Sequence, residues 1–344
     1  MKKSKCKTLF TVFFILFMIF CSTYSQTRFV DGINITGLER TWSFKTRTHK
    51  DVYKQLESAD KYKFSYIRIP IDLNFYLNET DKKHKKRFYK SINKMIKYAK
   101  KKNIKLIFSY FNHELSDNNT DSKQKEITAN WLLFLSNIEV DNEFIYIDMV
   151  NEPVINEQKW HQVAHHIISH LTEFQPDIKL IYGETNYNSI FELERSEPLP
   201  YKNIIYQFHF YEPFIFTHQG TSWTGAQNAT VGIPFPFTTQ ESLPQLNHLA
   251  LGTSGEINYK DYNVTGNEIA ISHKLSAIKK WADFHKVEVW CTEFGVTKNA
   301  TVMDRANYLR TVAKILNDLN IKGFIWEFEG NFGVQELLDT SLSE

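Results

Sequence analysis

Residues 144–174 read FIYIDMVNEPVINEQKWHQVAHHIISHLTEF. The first seven, 144–150, form a short apolar run rich in β-branched and aromatic side chains, as a buried strand requires. From Lys159 to Phe174 the apolar residues fall at helical spacing, so a helix follows. Between the two stands the polar tripeptide Asn151-Glu152-Pro153. This strand–turn–helix unit recurs in both directions along the chain. Strand-like runs occur at 29–35, 64–70, 104–111, 144–150, 178–183, 204–210, 287–292 and 323–328. The clearest amphipathic stretches between them are 82–102, 159–174, 269–284 and 303–319. Eight βα units predict an α/β fold of one domain, a closed (β/α)8 TIM barrel whose active site lies at the carboxyl ends of the strands. An open doubly wound sheet is the alternative, but Asp31-Gly32-Ile33-Asn34-Ile35-Thr36-Gly37 after the first run lacks the spacing of a phosphate-binding turn.

The chain has 344 residues, of which 42% are apolar and 15% aromatic, enough for a large core and incompatible with a disordered chain. Its net charge is +2. Residues 1–25 hold Lys2, Lys3, Lys5 and Lys7 and no acid, which leaves 37 basic against 39 acidic side chains in the remainder. Such a balance excludes a nucleic-acid binder. The four lysines, the apolar run 9–21 and Thr23-Tyr24-Ser25 read as a signal peptide over 1–25, with 26–344 as the catalytic domain. The apolar run is short of the roughly 20 residues that span a bilayer. Secretion or periplasmic export is therefore expected in preference to a membrane or lipid anchor. Only Cys291 survives removal of the leader, so no internal disulfide is expected. Asn34, Asn78, Asn118, Asn228, Asn263 and Asn299 lie in Asn-x-Thr sequons, acceptors only in a eukaryotic secretory route.

A barrel enzyme needs polar, aromatic or ionisable residues just beyond its strands. The second run ends in Arg68 and Pro70, the third in Asn112-His113-Glu114, the fourth in Asn151-Glu152-Pro153. The sixth ends in His209 and Tyr211, the seventh in Glu293-Phe294-Gly295, the eighth in Trp326-Glu327-Phe328. Glu152 and Glu293 thus face each other across the mouth. Paired carboxyl groups suit glycoside hydrolysis, in which one protonates the leaving oxygen while the other attacks or activates water. The competing reading is that each caps a helix or pairs with a surface lysine; two at matched strand ends favour catalysis.

Met149-Val150-Asn151-Glu152-Pro153, Trp290-Cys291-Thr292-Glu293-Phe294-Gly295, Arg68-Ile69-Pro70, Phe208-His209-Phe210-Tyr211 and Ile325-Trp326-Glu327 together resemble glycoside hydrolase family 5, the large cellulase family of the barrel clan. The resemblance runs from Gly32 to about Gly333. It implies Glu293 as nucleophile, its carboxylate held low in pKa by Arg68 and the Tyr211 hydroxyl, and Glu152 as acid/base. It implies Asn151 on the sugar 2-hydroxyl, His209 orienting Glu152 or a sugar hydroxyl, and Trp326 as floor of the reacting-sugar subsite. At the third strand the family carries Asp-x-His, whereas this chain has Ser109-Tyr110-Phe111-Asn112-His113, so His113 is displaced by two positions if it is the equivalent, and Asn112 is the other candidate.

The resemblance also implies a retaining, cofactor-free and metal-free enzyme acting by double displacement, with carboxyl groups roughly 5–5.5 Å apart against about 6.5–9.5 Å for inversion. The expected partner is a β-glucan or related polysaccharide or oligosaccharide, with no protein partner and a monomeric state. An endo-β-1,4-glucanase is favoured; mannan, xyloglucan and mixed-linkage glucan are used by relatives, and an exo-acting enzyme is the runner-up. A carbohydrate-binding barrel without turnover is the rival of a different class, opposed by the complete polar set. A metal-dependent hydrolase would need converging ligands, and only His113 and His209 stand at strand ends.

Other residues compete for attention. His161, His165, His166 and His170 form two i, i+4 pairs that could bind zinc. Glu184, Glu212, Glu327 and Glu329 could line the mouth or face solvent. About 57 residues separate Tyr211 from Glu268, a connection of functional length. In it Phe214, Phe216, Phe235 and Phe237 are expected to form a satellite core and Trp223 an exposed platform. The run containing His218, Gln219 and Trp223 either contacts substrate or supports the loop.

Overall fold

The computed structural model describes residues 29–40, 48–78, 80–111 and 114–342. The leader and the candidates Asn112 and His113 lie outside them. The apolar runs become eight strands: β1 (Gly32–Asn34), β2 (Tyr66–Ile71), β3 (Lys105–Tyr110), β4 (Ile145–Asp148), β5 (Lys179–Gly183), β6 (Ile204–Phe210), β7 (Glu288–Phe294) and β8 (Lys322–Ile325). All neighbours are parallel and in chain order, and β8 closes on β1 through Gly32↔Phe324 and Ile33↔Ile325. A (β/α)8 barrel results, as expected. β7 extends two residues beyond the expected run, so Glu293 lies inside a strand and not after one.

The outer helices start and stop where local chemistry dictates. Lys82–Lys102 begins at Asp81, which accepts from the Lys83 amide at 2.7 Å, and ends at Asn103 in the left-handed region (φ 56°). One of its faces buries Phe88, Ile92, Met95, Ile96 and Ala99 while the lysines face solvent. Helices Glu157–Phe174, Glu268–His285 and Val302–Asp318 are capped by Asn156, Asn267 and Thr301. Among the described residues no helix is long and apolar enough to cross a membrane. Asn34 is wholly buried inside the barrel, which closes its sequon to any glycan on the folded chain.

Inside the barrel the two-residue period of the strands stacks side chains in layers. Tyr66, Ile107, Tyr146, Ile181, Ile205, Trp290 and Phe324 make an apolar floor. Two residues further along their strands, Arg68, Ser109, Asp148, Gln207 and Thr292 make a polar layer, joined by Asn34 from β1. His209 follows Gln207 at the same period. β7 departs from it: the pairing with β6 slips between Phe208↔Cys291 and His209↔Glu293. That irregularity turns Glu293 into the mouth beside His209 although Thr292, its neighbour, also points inward.

The long 211–268 connection is ordered by short helical turns. Phe216 and Phe235 are buried against Tyr308, with ring centroids 5.5 and 5.2 Å away, and Phe237 packs on Tyr262 at 6.2 Å. Phe214 does not join this satellite core: it is 38% exposed and stacks on His218 at 3.9 Å. Trp223 is 47% exposed, as expected of a platform.

Trp290 in the floor is 1% exposed and stacks on Phe324 at 5.6 Å. Trp290→Ala is expected to lower unfolding stability by about 3–5 kcal/mol. Urea titration checks this, the midpoint falling while the slope stays constant.

Candidate active site

Arg68 is fully buried at the barrel axis, and its guanidinium reaches side chains from four other strand segments. Nε and Nη2 donate to Asp148 Oδ2 at 2.9 and 2.7 Å, Nη1 to Asn34 Oδ1 at 2.9 Å and to Glu293 Oε1 at 2.6 Å. Nη2 also donates to Ser109 Oγ at 3.0 Å and Asn151 Oδ1 at 2.6 Å. Gln207 Nε2 donates to Asp148 Oδ1 at 2.5 Å and accepts through Oε1 from Thr292 Oγ1 at 2.5 Å. Every donor of the guanidinium is used, and each charged partner is hydrogen-bonded, which is the condition for burying charge.

Above this layer the two glutamates converge. Glu152, Glu293 and His209 each offer a ligand atom within 4.8 Å of the others. The Tyr211 hydroxyl donates to Glu293 Oε2 at 2.8 Å, and burial together with Glu293 keeps that phenol protonated. His209 Nδ1 lies 2.7 Å from Glu152 Oε1 and 3.4 Å from Glu293 Oε2. Asn188 Nδ2 lies 3.2 Å from His209 Nε2. Glu152 itself, four residues beyond the end of β4, takes a left-handed backbone (φ 48°) in the segment that carries it into the mouth. These three are the one set among the described residues whose donors converge closely enough for a metal ion. Arg68 holds Glu293 Oε1, Tyr211 holds Glu293 Oε2, and His209 Nδ1 faces Glu152 Oε1.

The expectation of a depressed Glu293 pKa is overturned. Burial pushes its carboxyl above the ordinary value and neighbouring Glu152 adds to the rise; His209, Arg68 and Tyr211 pull it back only in part. Burial also lowers the His209 imidazole to about 4 and that of His218 to about 3.

The cleft has a volume of about 660 Å³. Its base holds Asn151, Glu152, His209, Tyr211, Glu293 and Trp326, so these candidates are brought together; Trp223 stands on its rim. Asn151 Nδ2 is a buried donor without a partner among the described residues, on a residue that lines the cleft. Trp326 is nearly buried and backed by Phe111 and Phe332. Gln219 is no cleft residue: it is fully buried and bonded to Phe216 and Ile233 backbone, so it supports the loop. Glu184 is also buried, bonded to His161 and the Tyr182 hydroxyl. Of the four helix histidines, His161 turns to Glu184 and His165 to the Tyr201 hydroxyl, while the rings of His166 and His170 lie 4.3 Å apart and His170 Nδ1 faces the His166 carbonyl.

Sequence reasoning did not single out Asp148, Asn188, Gln207 or Ser109. Asp148 left a trace, being one acid inside the apolar run FIYIDMV.

A closed parallel barrel with facing carboxyl groups at its carboxyl-terminal mouth is the framework of a glycoside hydrolase. The family model described as Cellulase (glycosyl hydrolase family 5) matches residues 25–332, and the chain belongs to that family. It is 29% identical over 299 residues to Endoglucanase 3 of Fibrobacter succinogenes, an alignment covering 79% of this chain and 45% of that protein. The chain thus spans less than half of that relative. Endoglucanase C of Acetivibrio thermocellus is 25% identical over 320 residues, 88% of this chain and 91% of that protein. Among solved structures, a hyperthermophilic endo-β-1,4-glucanase in complex with substrate superposes with TM-score 0.70 at 20% identity, covering 89% and 91% of the two chains. The clostridial cellulose synthase subunit Z from Clostridioides difficile gives 0.68 at 21% identity, covering 88% and 93%. At these identities the structural likeness is one of fold.

The histidine environment sets a measurable pH dependence. An unfolded chain protonates both histidines near 6.5, while the folded chain resists until about 4 at His209 and about 3 at His218. Below 6.5 the unfolded state binds protons that the folded state does not, so stability falls with pH, by roughly 3 kcal/mol from His209 alone by pH 4. Glu293, raised in the folded state, acts in the opposite sense, because there the folded chain takes the proton first. Titration of the imidazole resonances is expected to give midpoints near 4 and 3; a His209 midpoint near 6.5 would contradict the burial argument.

Proposed function

We propose that the protein is an exported endo-acting β-glucanase that hydrolyses β-1,4-linked glucan with retention of configuration. The observation that carries this reading is the separation of Glu152 and Glu293, whose oxygens approach within 4.8 Å. So close an approach favours a retaining pair, about 5–5.5 Å apart, over an inverting one at about 6.5–9.5 Å. Glu293 is the nucleophile and Glu152 the acid/base. Arg68 and Tyr211 both donate to Glu293, which offsets part of the cost of its ionised form and supports its reading as the nucleophile.

In the first step a Glu293 oxygen bonds to the anomeric carbon while the glycosidic C–O bond breaks and the Glu152 proton passes to the departing oxygen. Glu152, now ionised, then takes a proton from water as that water displaces the Glu293 ester, which restores both groups. The free Asn151 Nδ2 donates to the sugar 2-hydroxyl, and the face of Trp326 carries the reacting ring. Trp223, Tyr187 and Phe191, each close to half exposed around the cleft, offer stacking faces for further sugar units, which supports action within a polymer. The endoglucanase names of the relatives support β-1,4-glucan, and the lysine-and-apolar leader of residues 1–25 supports export.

Reducing-end release by the purified protein on carboxymethylcellulose, barley glucan, xyloglucan and mannan tests the reading. Activity is expected on the glucans, with Glu152→Gln reducing it by about 10²–10⁴-fold and Glu293→Gln by at least as much. Azide is expected to rescue Glu152→Ala on an activated aryl glycoside; wild-type rates in Glu293→Gln would sink the assignment. The acid limb of kcat/KM is expected above the ordinary carboxyl value of 4.5, since activity needs Glu293 ionised and burial raises it. A pH–rate profile flat down to 4.5 would contradict this.

A further inference from the structure

His209 is neutral and fully enclosed, so its single ring proton sits on one of two nitrogens, and the partner of each nitrogen decides which. Nδ1 faces Glu152 and Nε2 faces Asn188. We propose that Asn188 is a positioning residue that donates to His209 Nε2, pins the ring proton on Nδ1, and thereby directs Nδ1–H to Glu152 Oε1, leaving Oε2 as the oxygen that carries the transferable proton. The inference rests on the reading of Glu152 as acid/base. It requires no proton movement on the ring: Nδ1–H donates to Oε1 whether Oε2 is protonated before the leaving group departs or bare afterwards.

The surrounding structure is built to hold that amide in place. Asn188 is wholly buried and ends a run of three left-handed residues, Asn186, Tyr187 and Asn188 (φ 59°, 65° and 53°), an arrangement that side chains other than glycine adopt reluctantly. The run is anchored on its N-terminal side by Glu184, bonded to His161 at 3.0 Å and to the Tyr182 hydroxyl at 2.7 Å. Thr185 Oγ1 donates to the Ile155 carbonyl at 2.5 Å, tying the run to the segment that follows Glu152. On its C-terminal side Ser189 bridges directly to His209. Gly183 leaves the space the amide fills, since a Cβ there would meet Asn188 Oδ1 at 2.3 Å. Oδ1 has no partner among the described residues, so the imidazole is the one polar group that the buried amide serves.

Asn188→Asp keeps the shape and tolerates the left-handed backbone but turns the donor into an acceptor; Asn188→Gly keeps the backbone and removes the amide. In Asn188→Asp the buried carboxylate favours a proton on Nε2 and a charged ring. The charged ring holds Glu152 ionised, so the alkaline limb of kcat/KM is expected to move down by about one pH unit. Loss of kcat/KM on barley glucan is expected to exceed the loss on a 2,4-dinitrophenyl glycoside, whose leaving group needs no proton, by about tenfold or more in both variants. In the wild-type protein, ¹⁵N resonances of labelled histidine are expected to show the His209 proton on Nδ1. A proton on Nε2 in the wild type overturns the inference without any variant. So does an unmoved alkaline limb in Asn188→Asp with equal losses on the two substrates. Glu152→Gln runs alongside: if it leaves glucan hydrolysis intact, the acid/base reading fails, whereas its loss together with unmoved Asn188 variants defeats only the present inference.

Discussion

The guanidinium of Arg68 is the contact on which the rest of the site depends. It sits where a TIM barrel ordinarily packs branched apolar side chains, and it is soluble there only because Asp148 and Glu293 balance it and Asn34, Ser109 and Asn151 take its remaining hydrogens. Two opposite obligations meet in this one group. It neutralises charge that would otherwise be stranded in a low-dielectric interior, and it fixes the direction of the carboxylate at the mouth. A lysine, with one compact ammonium, could not span β1, β3, β4 and β7 at once.

Above the guanidinium the two glutamates have different partners. Glu293 receives a guanidinium and a phenol; Glu152 receives an imidazole that is itself neutral. Burial raises the carboxyl of Glu293, whose side chain is 5% exposed against 22% for Glu152, and the guanidinium and phenol that donate to it offset part of that rise.

Much of this was legible from the chain itself. The alternation of short β-rich runs with helical stretches foretold the barrel, and polar residues clustered at run ends pointed to Asn151, Glu152, His209, Tyr211, Glu293 and Trp326, which the fold brings to one cleft above Arg68. What escaped has a common cause. Asp148, Gln207 and Ser109 lie within strands, where pattern reading takes a lone polar residue as noise, and their meaning appears only when six strands bring them to one level. Asn188 belongs to a segment whose sequence, Glu184-Thr185-Asn186-Tyr187-Asn188, looks like an ordinary turn. The pKa of Glu293 was misjudged because a sequence shows the partners of a group but not how much water it has lost.

The polar layer at the centre of the barrel also constrains how such a protein can change over generations. Asn34, Arg68, Ser109, Asp148, Gln207 and Thr292 form a connected hydrogen-bonded set in which each member satisfies another. Exchanging one alone strands a partner, so the effects of substitutions here are strongly non-additive. A lineage can vary the cleft rim residue by residue and so explore new substrates in small steps. The layer beneath it tolerates change only through several coordinated replacements.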